Sequence, residues 1–379
     1  LINIGPGSPT GVTFGYGAKF PAKYQDAFFI LDWSWGKIHA VHMEPEGSTY
    51  TATKETFITG SPLPVTDAII HPADGAMYFA IGGRRVQSGV YRVTYVGKES
   101  TALVKHKPNV NELTRLRHRL EQFHGRQHSD ALNAAWPHLD HPDRFVRWAA
   151  LTAVQHQPLA QWKDRALNEK NHNQRVTALL GLCKVAAADP ANGKPDALVD
   201  KQLAATVYKL LAEVKWDKLD HTGKLTLVRA YQIALVRFGD PNTRAVKKII
   251  AQLEPQFPAP AFEQNWLLCE TLAFLQAPSV ATKGMQLLLE TPTQEEQIEY
   301  ARSLRMLKAG WSKKLRTEYF NWFLKAANYR GGASFSKFIE FIRNDAVASL
   351  SKAEQKDMQV LLSKKPVAKT PFEIMAEAM

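Results

Sequence analysis

Cysteine is almost missing from this chain: there are two in 379 residues, Cys183 and Cys269. So low a count excludes a disulfide framework, a CxxC zinc knuckle and the CxxCH signature of covalently attached haem. Each cysteine falls inside an apolar helical pattern far from the other, which marks both as small buried hydrophobes. Long hydrophobic runs are missing as well. No stretch approaches the roughly eighteen apolar residues of a membrane-spanning helix, and no basic, apolar and small-residue leader opens the chain. Catalytic signatures are equally scarce: there is no HExxH, no GxSxG elbow, no kinase set and no carboxylate pair in supporting context.

What is present describes a folded protein of more than one part. Apolar residues make up 45% and charged residues 22%, an ordinary balance. The length exceeds the size at which a single core stops growing, so two units, or a unit joined to an elongated array, are expected. The chain opens with "LINIGPGSPTGVTFGYG", which reads as the middle of a domain and leads us to expect a longer polypeptide. The net charge of +12 points to an anionic surface, an acidic partner or nucleic acid. Residues 1–110 carry a net charge of +2, and the other +10 is dispersed among acids along residues 111–379, as on a solvated surface.

Two periodicities divide the chain. Up to about residue 104, short aromatic and β-branched segments alternate with Gly, Pro and Asp-Gly punctuation. They are Ala27 to Trp33, Lys37 to Glu44, Thr49 to Ile58, Ala76 to Gly82 and Gly89 to Val96, and they predict an antiparallel meander: a sandwich, a barrel or propeller blades. From about Val110 onward, apolar residues recur every three or four positions in runs of helical length. In "HPDRFVRWAALTAVQHQ", Asp140 or Asp143 is placed to cap a helix whose apolar face is Phe145, Val146, Ala149, Ala150, Ala153 and Val154. Pairing consecutive helices gives a repeat of roughly 35–45 residues, the range of HEAT and armadillo arrays. An α-solenoid is the expectation, and such arrays bind or space other molecules more often than they do chemistry.

The most conspicuous motif is "AIGGRRVQSG", two glycines before Arg84 and Arg85. A phosphate-binding P-loop needs its glycines to run into a helix N-terminus followed by Lys-Ser/Thr. Here strand leads to strand, so a hairpin loop is expected, with the edge of a ligand pocket as the functional alternative. Asp74-Gly75 is sufficiently explained as a turn. His124 and His128 stand four apart, and His138 and His141 three apart, but without the glutamate and third ligand of a zinc site they read as surface or inter-repeat histidines. The helical tryptophans Trp136, Trp148, Trp162, Trp216, Trp266, Trp311 and Trp322 read as mostly core, with base-stacking platforms as the minority reading.

Longer phrases carry a resemblance. "GSPTGVTFGYGAKFPAKYQDAFFILDWSWGKIHAVHMEPEGSTY" and "PLPVTDAIIHPADGAMYFAIGGRRVQSGVYRVTYVG" resemble the closing propeller blades of the membrane-bound dehydrogenases of the planctomycete and verrucomicrobial group, whose propellers are similar to quinoprotein glucose/sorbosone dehydrogenases. "HPDRFVRWAA", "PTQEEQIEYARSLRMLKAGW" and "YFNWFLKAANYRGGASFSKFI" look like the HEAT segment that follows. The resemblance covers residues 7–362 and implies an α+β multidomain chain. Residues 1–106 would be the last blades of a partial antiparallel β-propeller, 107–363 an all-α HEAT/ARM-like solenoid, and 364–379 a tail or linker.

The function implied is that of an exported or periplasmic, cell-envelope redox protein. It would oxidise a sugar or alcohol-like substrate with pyrroloquinoline quinone (PQQ), with or without calcium, and pass electrons to a c-type cytochrome carrying haem c. No position matches the catalytic histidine of related quinoproteins, and no CxxCH is present, so neither the quinone site nor the haem site is complete here. Arg84 and Arg85 are the candidate cofactor contacts, since arginine's forked geometry suits a quinone carboxylate. The alternatives are an interaction scaffold with a structural propeller, its partner on the helical array, and a basic HEAT-like nucleic-acid binder. Nucleic acid is the less expected partner. A truncated propeller further predicts open sheets with an unpaired edge.

Overall fold

The computed structural model describes residues 1–5, 7–83, 86–105, 111–187, 200–329, 331 and 334–365. It is a mixed α+β chain that divides into two compact units, Leu1–Arg119 and Leu120–Met379.

In the first unit, alternating apolar residues build two antiparallel meanders. Strands β1 (Pro9–Phe14), β2 (Phe28–Asp32), β3 (Lys37–Glu46) and β4 (Thr49–Thr59) form a four-stranded sheet in chain order. Strands β5 (Val65–Ile70), β6 (Met77–Gly83) and β7 (Val86–Val93) form a three-stranded sheet, also in chain order. The sheets share one core: Phe29, Leu31, Ile38 and Ala40 of the first meet Val65, Ala68, Met77 and Phe79 of the second. Burying a side chain of this size is worth about 1.5–3 kcal/mol, so this seam dominates the unit's stability. Strand β1 runs beside β5, where Thr10 Oγ1 donates to the Val65 carbonyl at 2.7 Å. Both sheets are open, neither closing into a barrel.

The sequence reading placed five of these strands and missed β1 and β5. "PTGVTF" is interrupted by proline and glycine, and "VTDAII" is short and carries an exposed aspartate, so neither signals strongly alone. Pairing with β2 and β6 holds both in place. Strand β7 also begins three residues earlier than expected, because Gly83 pairs with Val86 and leaves a two-residue connection.

The second unit continues α2 (Glu112–Glu121) into helices held by polar caps and apolar faces. They are α3 (Ala131–Ala135), α4 (Arg144–Gln155), α5 (Leu159–Asn168), α6 (His172–Ala186), α7 (Lys201–Ala212), α8 (His221–Phe238), α9 (Thr243–Leu253), α10 (Phe262–Phe274), α11 (Val280–Glu290), α12 (Gln294–Leu304), α13 (Lys313–Ala326), α14 (Phe335–Ala348), α15 (Lys352–Asp357) and α16 (Gln359–Leu362). Asp143, Asn171, Asp200, Asp220, Asn242, Thr293 and Ser312 each accept from a backbone N–H of the first turn they cap. The helices make two rows. Each of α4, α6, α8, α10, α12 and α14 packs on the next of that series, and the odd-numbered helices lie alongside.

Sequence explains the even row. Helix α6 is buried continuously from Val176 to Cys183, so this stretch of it has no polar face to offer water. Gly181 gives the Leu151 side chain of α4 room, since a Cβ there would come within 2.7 Å of Leu151 Cδ1. The face forecast for α4 needs one correction. Asp143 is the cap and the alanines and valines are buried, but Phe145 is 40% exposed and Leu151 takes its place inside. With helices packed on two sides, α4 buries a band wider than one stripe, and the band turns away from Phe145.

Candidate functional site

The GGRR motif sits at the β6–β7 hairpin. Arg84 and Arg85, the candidate cofactor contacts, lie outside the described residues. The second of the two glycines before them has a packing reason. Trp33, on the β2–β3 connection, donates its indole N–H to the Gly82 carbonyl at 2.7 Å. A Cβ on Gly83 would lie 2.9 Å from Trp33 Cζ2. The indole therefore needs a bare backbone beneath it, and this part of the motif is structural.

Asp74 organises the neighbouring turn. Its Oδ1 accepts from the Ala76 N–H at 3.0 Å, while Oδ2 takes the Tyr78 hydroxyl at 3.0 Å and Arg92 Nη2 at 3.0 Å. The Ala76 hydrogen bond, followed by those from Tyr78 and Arg92, holds the carboxyl down at about 2. Gly75 follows at φ 69°, a left-handed position. This is a locked turn, as read from the sequence.

The sheet faces turned away from the shared core are more informative. On the first sheet, register places Val12, Ile30 and His39 in one cross-strand row, and Phe14, Phe28 and Val41 in the next. His39 and Val41 are buried, Phe14, Phe28 and Ile30 are half-buried, and Val12 is 55% exposed. Lys54 on this face donates to the Asn3 carbonyl at 3.0 Å, so the residues ahead of β1 reach across it. Burial, then Lys54 and Lys37, push the His39 imidazole below its ordinary value. On the second sheet, Ile69, Tyr78, Ala80 and Val90 share the outer face, with Ile69 54% and Val90 74% exposed. Each outer face thus mixes apolar side chains with charged ones, Lys54 on the first sheet and Asp67 and Arg92 on the second.

The fit of the implied cofactors follows from these surroundings. PQQ carries three carboxylates and needs a slot edged by cations. The cleft on the outer face of β5–β7 holds about 220 Å³, is walled by Ile69, Tyr78, Ala80 and Val90, and has Asp67 as its charged residue. A carboxylate at that edge repels the quinone, so this cleft does not fit it. Among the described residues, no three His, Cys, Asp or Glu side chains converge to hold a metal ion. Cys183 and Cys269 are buried in α6 and α10, and burial pushes both thiols up to about 12, leaving them inert.

The histidines of this region make structural hydrogen bonds, within turns or to a neighbouring helix. His124 and His128 follow α2 in turns, so their four-residue spacing does not put them on one helix face. His124 Nε2 lies 2.9 Å from the Ala149 carbonyl of α4, and the His128 N–H donates to Gln157 Oε1 at 2.9 Å. His141 Nδ1 accepts from the Asp143 N–H at 3.0 Å. Of the helical tryptophans, Trp136, Trp162 and Trp322 are core, Trp216, Trp266 and Trp311 are half-buried, and Trp148 is 56% exposed.

Trp148 belongs to a surface that the sequence reading missed. On the open side of the even row, Val236 of α8, Phe274 of α10 and Met306 beyond α12 are each more than half exposed. Lys184 of α6 holds its Nζ 4.6 Å over the Trp148 ring. Burial, then Arg237 and Arg229, push the Lys184 ammonium down. Between α8 and α10 lies a groove of about 510 Å³ whose lining includes Arg229, Ile233, Val236, Glu270 and Phe274. Glu270 is already paired with Arg302 at 3.1 Å, which also meets Glu299 at 2.9 Å. The signal was available in α8, where Arg229, Ile233 and Val236 recur at four- and three-residue spacing. Apolar residues at that spacing are indistinguishable in sequence from a core face.

Among the described residues, no helix is long and apolar enough to cross a membrane. No protein-family model, no curated protein and no solved structure matches this chain.

Proposed function

We propose that the first unit is the closing part of a β-propeller and the second a HEAT/ARM-like α-solenoid. In this reading both belong to an exported, quinoprotein-like redox protein that oxidises a sugar or alcohol-like substrate and passes electrons to a c-type cytochrome. The observation that carries the reading is the pair of stacked meanders: two sheets in chain order, inner strands side by side, each with large apolar side chains still exposed on its outer face, Val12 on the first and Ile69 and Val90 on the second. A sandwich of two sheets would make its outer faces polar. Blades in a ring need both faces apolar, because each blade packs between two others. The helical unit supports its half through its repeat. The first residues of α5, α7, α9, α11 and α13 follow one another at intervals of 33 to 42 residues, each starting a pair that packs on neighbouring pairs.

The redox chemistry itself rests on the family resemblance. The part of residues 1–365 in it is positional: blades that complete a ring, and an array that presents a surface. The test is turnover by the protein at its natural length, loaded with PQQ and calcium and offered sugars and alcohols with an artificial electron acceptor. Quinone-dependent reduction of the acceptor is the expected result, and its absence rejects the redox reading. The open face of the even row favours one alternative, an interaction scaffold on a structural propeller, which predicts no turnover. A nucleic-acid array is disfavoured by Glu270 and Glu299, which sit on the even row among the cations.

A further inference from the structure

We propose that the open face of the even-numbered helices, centred on the groove between α8 and α10, binds an extended peptide segment of a partner protein that carries acidic and large apolar side chains. The inference rests on the helical array being a binding module and owes nothing to quinone chemistry.

Three observations carry it. The first is a run of exposed apolar side chains that crosses from helix to helix: Trp148 on α4, Val236 on α8, Phe274 on α10 and Met306 after α12. Scattered exposed apolar residues need no explanation, but a line of them across successive elements marks a binding surface. The second is the groove itself, with Val236 and Phe274 among its lining residues. The third is charge. Lys184 and Arg229 make no ion pair with a carboxylate among the described residues, whereas Arg302 and Arg305 farther along are matched by Glu270, Glu299 and Asp345. Unpaired positive charge therefore gathers on α6 and α8.

Geometry selects the form of the ligand. Packed helices lie about 8–10 Å apart. A chain extended as a polyproline II helix advances about 3.1 Å per residue with three residues per turn, so every third side chain would face the next helix of the row. About a dozen residues would reach from Trp148 to Met306. Chemistry selects its class. A polynucleotide would carry phosphates along its whole length and run over Glu270 and Glu299. A peptide can set one or two carboxylates on Lys184 and Arg229 and lay apolar side chains on Val236 and Phe274.

The test is selection of a random 12-residue peptide library on the full chain, followed by titration of the enriched peptides. Enriched sequences should pair an acidic residue with apolar residues about three positions away. Lys184→Glu combined with Arg229→Glu should weaken binding tenfold or more, and Phe274→Ser should weaken it to a similar degree. Lys209→Glu on α7 should change nothing. A peptide with lysine replacing its acidic residue should bind the reversed variant better than the original chain, which separates lost charge from lost fold. Failure to enrich any peptide, enrichment without acidic residues, or indifference to the reversal would overturn the proposal. So would tighter binding of a 20-base single-stranded DNA, or of phosphatidylglycerol vesicles, that the same reversal abolishes. A failed quinone assay leaves all of these outcomes unaffected.

Discussion

Arg316 of α13 is only 2% exposed, and its replacement by methionine should be nearly harmless although it deletes an ion pair. The guanidinium lies 4.2 Å over the Trp311 ring, Nε reaches Glu354 Oε1 at 3.3 Å, Nη2 reaches the Leu307 carbonyl at 3.4 Å, and Nη1 has no partner. Losing the contact with the ring costs about 1–2 kcal/mol. Releasing a buried donor that has no acceptor returns about 1–3 kcal/mol. The remaining hydrogen bonds are long and weak, and burial already pushes the guanidinium below its ordinary value. For Arg316→Met, which keeps the apolar stem, the net change should therefore lie within about 1 kcal/mol, in either direction. Arg316→Ala also removes the stem from among packed rings and should cost about 2–4 kcal/mol. Urea unfolding followed by tryptophan fluorescence measures both. If Arg316→Met costs as much as Arg316→Ala, the charge rather than the stem holds this site, and the reasoning fails.

Three further outcomes follow from the same geometry. Burial pushes the Glu354 carboxyl up, but the hydrogen bonds from Ser351 and the Arg316 charge outweigh it, leaving the group below its ordinary value. Its contribution should be complete above the unfolded carboxyl pKa near 4.3 and lost as pH falls through the folded value, and Glu354→Gln should flatten that part of an acid titration. His39 is also lowered, so the first unit should be most stable above the unfolded imidazole pKa near 6.5 and weaken as pH falls from there. His39→Gln should remove this slope from urea midpoints measured between pH 7.5 and 5. Val12→Lys should change the stability of residues 1–379 by no more than about 0.5 kcal/mol. In the protein at its natural length, where a further blade would cover the face, it should cost about 3 kcal/mol.

The sequence was most informative where one element satisfies itself. Asp143 followed by an apolar helical run fixes α4, and Asp74-Gly75 fixes its turn, because the caps and turns are local. Strands β1 and β5 were illegible because proline, glycine and an exposed aspartate break their local pattern, and pairing with β2 and β6 is what holds them. A long-range partner also explains Gly83, whose contact with Trp33 lies 50 positions away in the chain. The peptide-binding face was hidden for a related reason. Trp148, Lys184, Arg229 and Phe274 stand on four helices, and each alone reads as an ordinary surface or core residue. Only the packing of α4, α6, α8 and α10 into one row brings them together.

The central claim is that the two meanders are blades with more to pack against. A structure of the protein at its natural length tests it directly. The account predicts that Val12, Phe14 and Phe28 lie beneath a further antiparallel sheet, its inner strand beside β1 as β5 is on the other side. Finding that face in solvent, or under a helix, would contradict it.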